Sequence, residues 1–144
     1  MIRRGVLGAR GAITHLRNLS LSDGALYRAD LVRCSLSHSV TLYRFDKFDA
    51  ACKASLDAVE LCKGDPEPDC AFLAACLDQY GIALHQSDHG TEEEECNAKE
   101  EAVRCSCQAY KGDPGKHGID YAKHLFSLAA SLDNTRAPSG SDAD

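Results

Sequence analysis

Eight cysteines in 144 residues are where this sequence holds most of its chemistry: Cys34, Cys52, Cys62, Cys70, Cys76, Cys96, Cys105 and Cys107. Thiols at this density serve disulfide cross-linking, soft-metal ligation or nucleophilic catalysis. The count is even, and the chain has no Trp, one Met and only 6% aromatic residues. A core built from Ala, Leu, Val and Cys is thin, and cross-links would reinforce it. Cross-linking in an oxidising compartment is therefore favoured.

Metal and catalytic alternatives are weaker. Cys105-Ser106-Cys107 offers two soft thiolates to Cu(I). His85, His89, Cys96 and Cys105 could be gathered around zinc, but their spacing fits no closed structural-zinc pattern, and solvated loop histidines are the plainer reading. Cys34 with His38 would make a thiol–imidazole pair, yet no third residue is at hand to orient it. No catalytic, cofactor-binding or metal-ligating residue is assigned. No cofactor, nucleic acid or small-molecule substrate is expected.

The elements carrying the cysteines read as helices. In residues 45–62, Phe45, Phe48, Cys52, Leu56, Val59 and Cys62 recur every three or four positions, with Asp49, Lys53, Asp57 and Glu60 between them. Gly64 is expected as a left-handed cap and Pro66 as a stop. Asp69 can cap a second helix from Cys70, with Leu73, Leu77 and Tyr80 on one face, ending at Gly81 and the polar stretch HQSDHG. A third helix opens on TEEEEC. Thr91 and Glu94 have capping-box spacing, and the remaining glutamates suit the positive helix end, which accounts for the acidic run. Gly112-Asp113-Pro114 should end it as Gly64-Asp65-Pro66 ends the first. A fourth helix covers residues 119–132, and residues 134–144 read as a disordered tail.

The expected fold is thus all-α. It is a disulfide-linked helical hairpin (residues 45–111) with further short helices and extended termini, namely a basic arm (1–44), a C-terminal helix (112–133) and the tail. The arm carries a net charge of +5 and the rest −11. No uniformly basic face is offered to nucleic acid, and no apolar run reaches the ~18 residues of a membrane span. Residues 1–22 are acid-free and hold Arg3, Arg4, Arg10 and Arg17 among aliphatic residues. That composition is typical of mitochondrial targeting, and the same arginines could meet anionic lipid or acidic neighbours.

Helix geometry constrains the pairing. Cys52 and Cys62 share a face but lie ~15 Å apart along the axis, too far to bind one metal or each other. Cys96 and Cys107 also share a face, at about 20° net rotation, with Cys105 opposite. Antiparallel pairing of these helices gives Cys52–Cys107 and Cys62–Cys96, both centred near residue 79. Cys76–Cys96 with Cys70–Cys105, centred near residue 87, is also self-consistent. Cys34 could pair with Cys105 or with the second helix. Each long-loop bond would contribute ~4 kcal/mol in the chain-entropy account.

Cys52-x9-Cys62 followed by Cys96-x10-Cys107 resembles the coiled-coil-helix-coiled-coil-helix (twin C-x9-C) proteins of the mitochondrial intermembrane space. In cysteine number and order, with Asp65-Pro66, Cys70 and Cys76 between the pairs, the chain is similar to the four-cysteine-pair (PGIV-type) accessory subunit of respiratory complex I. The C-x9-C then C-x10-C spacing is also similar to cytochrome oxidase subunit VIb. The resemblance implies a non-catalytic accessory subunit, of complex I before complex IV, oxidised by a disulfide relay. Such a subunit lies in the intermembrane space, peripheral to the inner membrane, and its partners are other subunits of a large membrane complex. An assembly factor or copper metallochaperone of the same compartment is the alternative, although the Cys-Cys pair of the family's copper chaperones is missing ahead of Cys52. A mitochondrial ribosomal subunit comes third, disfavoured by the acidic body.

Overall fold

Six helices follow one another: α1 (Ile2–Ser22), α2 (Gly24–Arg44), α3 (Phe48–Lys63), α4 (Cys70–Gln86), α5 (Glu92–Gly112) and α6 (Pro114–Arg136). This computed structural model describes residues 2–22 and 24–136, with side chains over 8–18 and 27–133. Among them there is no strand, so the fold is all-α as expected. The expected tail lies outside the described residues from 137 onward.

Several helix ends are written in the sequence. Asp69 Oδ1 accepts from Phe72 N at 3.1 Å, capping α4, and Thr91 Oγ1 accepts from Glu94 N at 3.1 Å, capping α5. Thr91 Oγ1 also donates to Glu94 Oε1 at 3.0 Å, which turns the expected capping box inward on its own hydroxyl. Asp113 Oδ1 accepts from Lys116 N at 3.2 Å. Pro114 is then the first residue of α6, where a missing N–H does no harm. The segment expected only to stop α5 therefore also starts α6, five residues earlier than the expected 119.

Other ends fall elsewhere. The left-handed cap is at Asp46 (φ 60), not at Gly64, whose φ of −73° is right-handed. Lys47 N donates to Leu42 O at 2.9 Å and Asp46 N to Tyr43 O at 3.1 Å, the paired bonds of a Schellman motif closing α2. Phe45 thus belongs to the end of α2, and α3 starts at Phe48. Gly81 does not end α4, which continues to Gln86.

Each helix packs mainly on its neighbours in the chain, with slighter contact between α2 and α4 and between α4 and α6. The result is a row of helices with α4 between α3 and α5. The reason lies in α4 itself. Leu73, Ala74, Cys76, Leu77, Gly81, Ala83 and Leu84 are all buried, and a helix apolar on so many sides needs cover on two flanks. The expected pairing of α3 with α5 is consequently not formed: no Cα of α3 lies within 8 Å of one in α5.

The core is narrow and made from small residues. Val32, Ala58, Val59, Cys62, Leu73, Cys76, Leu77 and Ala102 form its centre, and Leu42, Ala51 and Ala83 form a second cluster. Ala51, Ala58, Ala74, Ala83 and Ala102 have no exposed surface, so the helix backbones approach closely. Leu31, Val32 and Leu42 come from α2. The described side chains of α2, residues 27–44, therefore contribute to the packed body.

Candidate functional site

The most developed polar arrangement lies where α4, α5 and α6 meet. Glu95 and Lys99 are one turn apart on α5, and α6 brings Ser131 against both. All three are at most 7% exposed. Lys99 Nζ donates to Ser131 Oγ at 2.5 Å and to Glu95 Oε2 at 3.2 Å, and Ser131 Oγ donates to the same carboxylate oxygen at 2.5 Å. His85, on the last turn of α4, meets Glu95 Oε1 through Nδ1 at 2.9 Å. Burial pushes the Glu95 carboxyl up, but the hydrogen bonds from Ser131, His85 and Lys99 outweigh it and hold it below the ordinary value. A carboxylate so engaged is a poor base, and Ser131 is not a freed nucleophile. What the arrangement does well is fix α6 on α5.

Gly81 is part of this construction. A Cβ there would stand 2.8 Å from Lys99 Cγ, so the bare backbone of α4 is the notch through which the lysine stem runs. A cavity of about 140 Å³ adjoins the cluster, lined by Leu84, His85, Gly90, Thr91, Glu92, Glu95 and Ser131. Sequence reasoning missed this site. Glu95 and Lys99 have ion-pair spacing, but the acidic run was already explained by capping, and nothing local marks Ser131 as their partner.

None of the eight cysteines is disulfide-bonded in this structure. The expected Cys52–Cys107 and Cys62–Cys96 bonds are absent because α4 separates their helices, whereas disulfides need Cα atoms about 4.4–6.8 Å apart. Cys62 instead faces Cys76 of α4 within the central cluster. Cys70 Sγ lies 3.3 Å from Gln108 Oε1, one turn beyond Cys105 on α5. Cys52 lies beside Ser87, and Cys107 beside Tyr121. Cys105 packs against the core while Cys107 turns to α6, so the two diverge and offer no shared copper site.

The conceivable zinc ligands also diverge. His85 binds Glu95, His89 Nε2 is 3.7 Å from Asp49 Oδ2, and among the described residues no three His, Cys, Asp or Glu side chains gather as a metal site. Cys34 and His38 do line one largely apolar cavity of about 200 Å³ between α1 and α2, with Ala9, Ala12, Arg33, Ser37 and Thr41. His38 is 8% exposed and its Nδ1 has no hydrogen-bond partner. Thr41 Oγ1 donates instead to Ser37 O at 3.0 Å, so no third residue orients the imidazole.

Of the basic residues, the side chains of Arg3 and Arg4 lie outside the description. Arg10 and Arg17 are exposed on α1, which packs along α2. Arg17 borders an open groove with Arg28, Asp57 and Glu60. Compared with known proteins, the chain matches no family model, no curated protein and no solved structure.

Proposed function

We propose that this chain is a non-catalytic accessory subunit of a respiratory-chain complex, complex I before complex IV, at the intermembrane-space face of the mitochondrial inner membrane. On this reading disulfides link its helices and brace a core too thin to hold them firmly. The placement of the thiols carries the proposal: Cys62 and Cys76 touch at the centre, and Cys70 and Cys105 border the adjoining seam. Bonds at such seams require an oxidising compartment. The twin cysteine spacing and the acid-free residues 1–22 favour the intermembrane space among such compartments.

Two surface features support a subunit role. Ile119 and Phe126 are 74% and 77% exposed, seven residues apart on the last helix, and a neighbouring subunit would bury that face. Arg10 and Arg17 project from α1 at the other end of the row, where they suit anionic headgroups or acidic neighbours.

The test uses tagged full-length chain in isolated mitochondria, with protease added before and after swelling of the outer membrane, followed by native gels. Expected are cleavage only after swelling and comigration with complex I activity. A chain outside mitochondria, or one cleaved only when detergent opens the inner membrane, would overturn the proposal. Stoichiometric copper in the purified chain would favour the metallochaperone alternative.

A further inference from the structure

We infer that α4 is stapled on both flanks by two disulfides, Cys62–Cys76 to α3 and Cys70–Cys105 to α5. The inference rests on the oxidised, structural reading above and goes beyond it by naming the bonds.

The spacing Cys70-x5-Cys76 is the first reason. Six positions on a helix rotate by ~600°, which leaves the two sulfurs about 120° apart around the axis. That divergence is useless for one shared ligand or one shared partner helix. It suits a helix that lies between two others, and α4 lies between α3 and α5. Cys76 faces Cys62 of α3, and Cys70 faces α5 one turn from Cys105.

Contacts on the two flanks agree. Cys62 and Cys76 are 7% and 0% exposed and sit together among Val59, Leu73 and Leu77. The nearness of the two sulfurs lowers the Cys62 thiol from its ordinary pKa, while the same nearness and burial push Cys76 up, so in the closed seam Cys62 is the more acidic of the two. On the other flank Cys70 heads α4, and its sulfur reaches Gln108, one turn from Cys105. Burial raises the Cys105 thiol most, and the next cause is the charge of nearby Cys70. The other four cysteines are engaged elsewhere: Cys52 with Ser87, Cys107 with Tyr121, Cys34 beside the α1–α2 cavity, and Cys96 among the acidic residues opening α5.

The chemistry is thiol–disulfide exchange with an external disulfide, here oxidised glutathione. The Cys62 thiolate attacks its S–S bond and expels one glutathione thiolate. Cys76, having given its proton to water, then displaces the second glutathione from the mixed disulfide. Two protein thiols lose two electrons and two protons, and one glutathione disulfide becomes two glutathione thiols. Because Cys76 is fully buried once the α3–α4 seam closes, the exchange precedes closure, and either thiol of the pair can make the first attack. The Cys70–Cys105 bond forms by the same steps.

To test this, the full chain is refolded in a mixture of reduced and oxidised glutathione. Free thiols are alkylated, and the denatured protein is digested with trypsin and chymotrypsin, which cuts between Cys70 and Cys76 at Phe72 or Leu73. Mass spectrometry should find peptides joined through Cys62–Cys76 and through Cys70–Cys105. Cys105 and Cys107 share a tryptic peptide, so C105S should lose the second link and C107S keep it. Cysteine variants that fail to fold are bypassed by the wild-type chain, whose melting temperature should be higher oxidised than reduced. Peptides joined through Cys52–Cys107 and Cys62–Cys96, or all eight thiols alkylated, would overturn the inference. Finding the two staples in a chain that resides outside the intermembrane space would sink the functional reading and leave the pairing standing. Free thiols in chain isolated from that compartment would do the reverse.

Discussion

The two seams of α5 are built on opposite principles. Against α4, in the region of Ala102 and Cys105, the contact is apolar and made from Ala, Leu, Val and Cys. Against α6, Ser131 docks on a buried ion pair of α5, Glu95–Lys99, which His85 of α4 also engages. Small apolar residues bring helices close but specify register weakly, because one alanine fits where another did. A charged cluster holds only in the register that satisfies every donor and acceptor. The apolar seam is thus where covalent staples have something to add, and the polar seam is already specified.

The sharpest way to break this contrast is Lys99→Ala. It leaves Glu95 buried without its ion-pair partner and Ser131 Oγ without its donor, a change expected to cost about 3–5 kcal/mol in chemical denaturation. Leu77→Ala on the apolar side should cost about 3 kcal/mol, toward the lower part of the range for such truncations, because small neighbours can close in. Gly81→Ala comes next, at about 1–3 kcal/mol, since its Cβ would press on the Lys99 stem. In a Lys99→Ala background that cost should vanish, and a double-mutant cycle would report the coupling. If Gly81→Ala costs the same in both backgrounds, the notch serves something other than Lys99.

Acid separates the polar clusters of the molecule in a second way. His38 is held below its ordinary 6.5 by burial first and by Arg10 second. A base lowered in this way contributes stability that is present above 6.5 and lost as pH falls below it, when the unfolded chain takes up the proton. Glu95 is held below its ordinary 4.5, so its contribution is present above that value and lost as pH falls through the lower folded value. Stability should therefore decline in two stages on acidification, first at the α1–α2 seam and then at the α5–α6 seam. His38→Gln should flatten the first stage and Glu95→Gln the second in pH-dependent denaturation. A single stage abolished by neither substitution would contradict this assignment.

Much of the secondary structure was legible because it is local. Asp69, Thr91 and Pro114 mark helix ends with chemistry that acts within one turn. The order of helices in space was not legible. The 3.6-residue pattern of residues 45–62 and the facing cysteines of α5 suggested direct pairing, but periodicity reports only that a face is buried, not against what. The deciding signal lay in α4, where Ala74, Cys76, Ala83 and Leu84 are buried alongside Leu73 and Leu77. Gly81 misled for a related reason: its role is a close approach by Lys99 from another helix, which no local rule reveals. Ser131 carried no local mark of its partners, 36 and 32 residues away.

The mildest test concerns the turn that sets α3 at its angle. Asp46 adopts φ 60 in the Schellman motif between α2 and α3, a conformation that strains any residue with a side chain. Gly in its place relieves that strain while giving the unfolded chain more freedom, and the two effects partly cancel. Asp46→Gly should therefore raise stability by about 0.5 kcal/mol, read as a small upward shift in thermal denaturation. The gain should be the same with α4 stapled or reduced, because the turn lies outside both proposed loops. A gain that disappears on reduction would mean that the α2–α3 turn and the α4 staples hold the same element.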